Sequence, residues 1–342
     1  MSAPVLLPGH RALAEWARRG GRPDRRRFAQ TARLRWHAHW FDHNWQTQMA
    51  RLASAPLPLD PVFILGPWRS GTTALHERLA AAGHWVTPRT WQCFNPSTCF
   101  SSGPPSHERA AARPMDAGRI STTSPQEDEI ALLLLGEPSV YRGFIDPRRL
   151  RECGEQLWSG SKGPLERWQD FLRGLASESP GARLLLKSPS HTFRLPLLRA
   201  LFPRARYLWI GRHTGEVLAS NGRMWRAMLD RYAWWSCPAG ELEGFLEDMV
   251  RASTAVLGRC LQDLSPSELL WVDFEQLHAS PDEVIDRVLR FLGMRPAEGA
   301  SVGAASVPVH AGSRAPLPND PWVHELESAM TAARQRFGGA GT

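Results

Sequence analysis

The segment Val62-Phe-Ile-Leu-Gly-Pro-Trp-Arg-Ser-Gly-Thr-Thr73 sets a short apolar run before a glycine-bearing turn and the start of a helical pattern. A buried strand that delivers the chain to such a turn leaves the next helix pointing unpaired N–H groups at an anion. Gly66 and Gly71 have the spacing of a Walker A loop, but Thr72 stands where its lysine belongs, and the cation has moved inside the loop as Arg69. The segment points to a ligand carrying phosphate-like oxygens. It points away from the Lys–Mg²⁺ handling of a nucleoside triphosphate.

Only two of the 41 basic residues are lysine, Lys162 and Lys187. Lys162 sits in a Ser/Gly turn. Lys187 closes the apolar run Leu184-Leu-Leu, and because a compact ammonium differs chemically from a planar guanidinium, its retention there invites a functional reason beside chance. A third apolar run ends at Gly211-Arg212, and Ser220 follows eight residues after Arg212. In a parallel sheet, ligands gather at the carboxyl ends of strands. The three run ends would then converge on one nucleotide pocket with two anionic subsites.

The elements needed for that convergence are legible as alternating patterns. Strands are expected at about 62–66, 183–186, 206–210 and 269–274. Helices are expected at about 72–82, 165–176, 191–201, 214–229, 241–263 and 281–292, with a short last helix from Pro321. Pro281 and Gly293 mark the two ends of one of them. Ser124-Pro125-Gln126-Glu127 has the form of a capping box opening a helix whose body, Ile130 to Leu135, is apolar all round. Residues 84–124 are broken by prolines and expected to be irregular, as is the stretch 295–320. The pattern predicts an α/β fold: a P-loop-type, mostly parallel sheet flanked by helices. A basic helical N-terminal arm, 1–58, precedes a catalytic domain, 59–342.

The net charge is +7, and residues 1–51 alone hold ten arginines against three acids. The basic excess therefore belongs to the arm. It is most simply a solvated arginine-rich helix face, with anionic lipid or a protein partner as the other readings, and no nucleic-acid motif accompanies it. No apolar run reaches the ~18–20 residues that span a bilayer, and the start lacks the form of a secretory leader. Five cysteines at scattered spacings suit reduced thiols and a cytoplasmic location.

These segments resemble the 3′-phosphoadenosine 5′-phosphosulfate (PAPS)-dependent sulfotransferases, above all a bacterial group related to the tyrosylprotein sulfotransferases. Pro67-Trp-Arg-Ser-Gly-Thr-Thr73 resembles their 5′-phosphosulfate loop. Arg212 with Ser220 resembles their 3′-phosphate motif, and Leu186-Lys-Ser-Pro189 the segment that brings a catalytic lysine. Thr90 to Pro96, Arg113-Pro-Met-Asp116 and Pro125 to Glu129 resemble segments of the bacterial group. The resemblance spans about 60–295 and implies in-line sulfuryl transfer from PAPS to a small-molecule, glycan or peptide hydroxyl, without a metal.

It also implies roles. Arg69, Ser70, Gly71, Thr72 and Thr73, with the backbone N–H groups of 70–73, would hold the 5′-phosphosulfate. Arg212 and Ser220 would hold the 3′-phosphate, and Lys187 would offset charge on the transferring group. Many relatives have Glu after Thr-Trp, where this chain has Gln92. The base must then come from Glu127, Asp128, Glu129 or His76. Glu129 stands first, because an apolar helix face would raise its pKa, and Glu127 second. A third cofactor motif is not evident; His310, Ser313 and Arg314 are the nearest candidates. Residues 84–124 and 230–240, rich in Trp, are expected to form the acceptor cleft. Two other readings remain: a P-loop kinase, and a nucleotide-binding protein without catalysis.

Overall fold

Short runs rich in aliphatic and aromatic residues become strands, and they are apolar almost throughout because helices cover both sides of them. The computed structural model describes residues 40–52, 55–113, 115–116, 118–160, 165–295 and 315–338. The strands are β1 (Val62–Leu65), β2 (Trp85–Val86), β3 (Ala110–Ala112), β4 (Arg119–Ser121), β5 (Arg183–Lys187), β6 (Arg206–Gly211) and β7 (Leu269–Asp273). Five of them form a parallel sheet in the order β2-β5-β1-β6-β7, and β3 and β4 form a separate antiparallel hairpin.

Alternation along each strand divides the interior in two. Phe63, Leu186, Tyr207 and Trp209 enter the larger core. Val62, Ile64, Leu185 and Ile210 enter the smaller one. Helices α1 (Thr72–Ala82) and α8 (Pro281–Phe291) close the smaller core. The larger core is closed by α2 (Glu129–Leu134), α3 (Leu150–Trp158), α4 (Glu166–Ser177), α5 (Leu195–Leu201), α6 (Thr214–Tyr232), α7 (Glu241–Asp263) and α9 (Pro321–Phe337). Strand β1 is central, with β5 and β6 on its two sides, so its carboxyl end opens between theirs.

The α/β architecture is the expected one, with local differences. Two-residue β2 and helix α3 were not foreseen. Residues 84–124 hold β2, β3, β4 and two helical turns, Thr90–Phe94 and Cys99–Ser102. The expected helix at 191–201 is a 3-10 segment, Pro189–Arg194, followed by α5. Helix α2 starts at Glu129, not after Ser124, and Glu127 N–H is taken by Gln126 Oε1 at 2.9 Å. Ser124 instead accepts from Ser121 N–H at 2.9 Å, so the capping box does not form.

Residues 40–52 are helical and lie on the body. Trp45 is buried in the larger core. Gln48 donates to Pro96 O at 2.9 Å and accepts from Phe100 N–H at 2.8 Å. Residues 1–39, Lys162, His310, Ser313 and Arg314 lie outside the described residues. Among the described residues no helix is long and apolar enough to cross a membrane.

Candidate active site

The loop after β1 is built around two glycines that cannot be replaced cheaply. Gly66 has φ 136°, and a Cβ there would meet Ile210 O at 2.8 Å. Gly71 has φ 106°, and a Cβ would come within 2.4 Å of Phe274 Cδ2. Arg69 adopts φ 70° between them. That left-handed conformation costs a side-chain-bearing residue roughly 1–2 kcal/mol, and the Arg69 carbonyl is held there by Arg212 Nη1 at 3.3 Å. Thr192 braces the loop's start, accepting from Gly66 N–H at 2.9 Å and donating to Gly66 O at 3.1 Å.

Helix α1 opens at Thr72 with no acid in its first turn and no side-chain cap. Its ladder begins with Leu75 N–H donating to Gly71 O at 3.1 Å. The N–H groups of Thr72, Thr73 and Ala74 are those that a helix leaves for an anion. Ser70 departs from expectation. Its N–H and its hydroxyl both turn inward to Pro67 O, at 3.2 and 2.8 Å, so Ser70 braces the loop.

Lys187 is the last residue of β5, paired in register with Ile64 of β1. It shares the parity of Leu185, which faces α1. Its Nζ donates to Thr73 Oγ1 at 3.2 Å and to Glu127 Oε1 at 2.7 Å. Burial lowers the Lys187 pKa, and Glu127 opposes that shift. The other oxygen of Glu127 accepts from the Tyr141 hydroxyl, which accepts in turn from Trp68 Nε1 at 3.0 Å. Burial, with Glu127 beside it, holds the Tyr141 phenol well above its usual pKa, so it remains a donor. A cation, a loop hydroxyl and a carboxylate thus share one hydrogen-bonded cluster at the loop. Tyr141 was missed in the sequence, where its being one of three tyrosines was the available signal.

Arg212 and Ser220, the residues expected to hold a second anion, also lie beside the loop. Arg212 Nη2 pairs with Glu216 at 2.7 Å, and its guanidinium lies 4.1 Å over the Phe274 ring. Ser220 Oγ accepts from Arg69 Nε at 3.0 Å. Arg212 and Ser220 therefore meet through residue 69, one at its carbonyl and one at its side chain. Arg69 also pairs with Asp116 at 2.9 Å.

The remaining candidates hold the frame. Glu129 is fully buried, pairing with Arg194 at 2.5 Å and accepting from Ser139 at 2.7 Å and Ser190 at 2.6 Å. The expectation that an apolar setting raises its pKa is reversed: burial acts in that direction, but Arg194 and the hydroxyls outweigh it, and the pKa is lowered. Asp128 is likewise buried and lowered, held by His191 at 2.8 Å, Ser188 at 2.6 Å and Trp168 at 2.7 Å. His76 is buried against Thr87 Oγ1 at 2.6 Å, and burial, with Lys187, pushes its pKa far down. Gln92 caps a helical turn, accepting from Arg89 N–H at 2.8 Å while its amide donates to Glu178 at 2.9 Å. In the expected acceptor region, Trp234 N–H donates to Ile145 O at 2.9 Å, and Arg148 lies 4.2 Å over the Trp235 ring.

Residues 61–298 match the sulfotransferase family. Over 257 residues the chain is 28% identical to the omega-hydroxy-beta-dihydromenaquinone-9 sulfotransferase Stf3 of Mycobacterium bovis, and equally to that of Mycobacterium tuberculosis. The match covers 71% of this chain and 65% of each relative, so the chain spans less than two thirds of the curated relatives' length. Among solved structures, sulfotransferase STF1 of Mycobacterium tuberculosis H37Rv superposes with a TM-score of 0.60 at 16% identity, covering 88% of this chain and 82% of that one. STF9 of Mycobacterium avium gives 0.58 at 18% identity, covering 89% and 81%. At such identities the likeness is one of fold.

Proposed function

The chain belongs to the sulfotransferase family, and on that premise we propose that it moves a sulfuryl group from PAPS to the hydroxyl of a small molecule. The observation that carries this reading is the meeting of Lys187 Nζ with Thr73 Oγ1 and Glu127 Oε1, at 3.2 and 2.7 Å. The N–H groups of 72–74, Thr73 and Arg69 hold the 5′-phosphosulfate, with Gly71 admitting the close approach. Arg212 and Ser220 take the 3′-phosphate. The acceptor oxygen forms a bond to sulfur as the bond from sulfur to the bridging phosphate oxygen breaks. Lys187 offsets the charge that develops on that oxygen.

The acceptor's proton passes to a carboxylate. Glu127 reaches the lysine and keeps part of its surface open, whereas Glu129 is fully buried with both oxygens on Arg194. Glu127 is therefore the base, in reversal of the order expected from sequence. The products are a sulfate ester and adenosine 3′,5′-bisphosphate. The relatives' name specifies a hydroxylated menaquinone, and a hydroxylated lipid-like molecule is the first acceptor to try.

Thermal shift with adenosine 3′,5′-bisphosphate against ADP tests the donor. The bisphosphate is expected to raise the melting temperature at concentrations where ADP does not. A preference for ADP would overturn the reading in favour of a kinase.

A further inference from the structure

The β3–β4 hairpin reaches the donor loop although the sheet does not need it. Its strands pair with each other, and Ala110–Ala112 is exposed along its length. Arg113 N–H closes the connection by donating to Gly118 O at 2.9 Å. This places Arg113 and Asp116 on the loop. Asp116 Oδ2 pairs with Arg69 Nη1 at 2.9 Å, and Oδ1 lies 3.4 Å from Arg113 Nε. Gly118 N–H fixes Oδ1 from behind at 3.0 Å. The side chains of Asp116 and Arg113 are only 9% and 11% exposed, so the pairing is sheltered from water and salt.

Each cation at the site has a carboxylate partner. Lys187 has Glu127 and Arg212 has Glu216. Arg69 and Arg113 instead share Asp116, two guanidiniums on one carboxylate. Arg113 and Glu77 act on the Lys187 ammonium in opposite directions, both less than its burial and Glu127. Arg69 belongs to the loop assigned to the 5′-phosphosulfate, so the guanidinium that shares its carboxylate stands at the same end of the site.

We propose that Arg113 is a further donor-binding residue, contacting the sulfuryl end of PAPS, and that Asp116 is its exchangeable counter-anion. The inference rests on the PAPS reading of the loop. A carboxylate bridging two guanidiniums presents planar, paired acceptor oxygens, and phosphosulfate oxygens satisfy the same forks. The donor therefore competes with Asp116 for Arg69 and Arg113. After transfer the product lacks the sulfuryl oxygens, and Asp116 retakes Arg113. The hairpin thus favours donor over product at the same nucleotide pocket.

Calorimetry of PAPS and of adenosine 3′,5′-bisphosphate at one fixed ionic strength tests this with R113Q, R113K and D116N. R113Q is expected to weaken PAPS about tenfold while changing the bisphosphate by less than about threefold. R113K should fall between R113Q and the wild type. D116N removes the competitor and should tighten PAPS about three- to tenfold. An unchanged ratio of donor to product affinity in R113Q, or weaker PAPS binding in D116N, would overturn the proposal. If R113Q does not fold, D116N alone decides through its sign. Wild-type protein that prefers ADP to the bisphosphate would sink the PAPS reading itself, whereas wild-type preference for the bisphosphate with an unresponsive R113Q would sink only the role of Arg113.

Discussion

Glu127 and Glu129 stand two residues apart and meet opposite surroundings. Glu127 is partly exposed and touches the one described lysine and a tyrosine, while Glu129 is sealed against Arg194. The distinction decides which carboxylate can exchange a proton with an incoming hydroxyl. Glu127→Gln is expected to lower kcat by about 10²- to 10⁴-fold, the usual worth of a general base. Binding of adenosine 3′,5′-bisphosphate should stay within about threefold of wild type, since the role proposed for Glu127 is toward the acceptor and not the nucleotide. Steady-state kinetics with a responsive acceptor, alongside nucleotide titration, checks both halves; near-wild-type turnover would remove Glu127 from the chemistry. Lys187 was legible from sequence because this chain writes almost every cation as arginine. Tyr141 was not, because its part comes from a long-range contact to the 127 carboxylate that no local spacing encodes.

At the scale of elements, the strands and the longer helices could be read because their apolar runs are bounded by Gly and Pro and repeat with a single period. The segment from Ser124 to Glu129 could not. Its Ser-Pro-Gln-Glu pattern satisfies a local capping rule, but the start of α2 is set by tertiary bonds. Glu129 N–H donates to Ser188 Oγ at 3.0 Å, and Asp128 anchors Ser188, His191 and Trp168. Starting the helix later leaves Glu127 outside its cap and directed at Lys187. The same anchoring makes Glu129 the clamp between α2 and the 3-10 segment that carries Arg194. Glu129→Gln strands a buried guanidinium, and breaking such a pair costs about 3–5 kcal/mol. Its melting temperature should therefore fall well below that of wild type and of Glu127→Gln. Equal melting temperatures for the two variants would mean that the Arg194 pair does not hold the element. Gly71→Ala belongs at this scale too. Its Cβ would collide with Phe274 and its φ of 106° would be strained. Nucleotide titration should show binding weakened at least tenfold, or else low recovery of folded protein; unchanged affinity would contradict the loop geometry.

For the molecule as a whole, the buried acids behind the site tie stability to pH with a definite sign. Asp128 and Glu129 are both fully buried, and both have folded-state pKa values below their ordinary ones. In each case burial pushes upward and is outweighed, by His191 with its neighbouring donors for Asp128 and by Arg194 for Glu129. A carboxylate with a depressed folded pKa binds fewer protons folded than unfolded. Its contribution is therefore fully present above the unfolded pKa of about 4 and is lost as pH falls towards the folded value. These groups join the start of α2 to Ser188, to the 3-10 segment and to Trp168 of α4, so their protonation loosens the wall behind the site. Denaturant unfolding at pH 7, 5, 4 and 3 should show stability nearly level in its Asp128 and Glu129 contribution between the first two and falling steeply below about pH 4. Asp128→Asn should be less stable at pH 7 and should lose less on acidification than wild type. Parallel pH profiles for the two proteins would show that the Asp128 pair is not what couples this fold to acid.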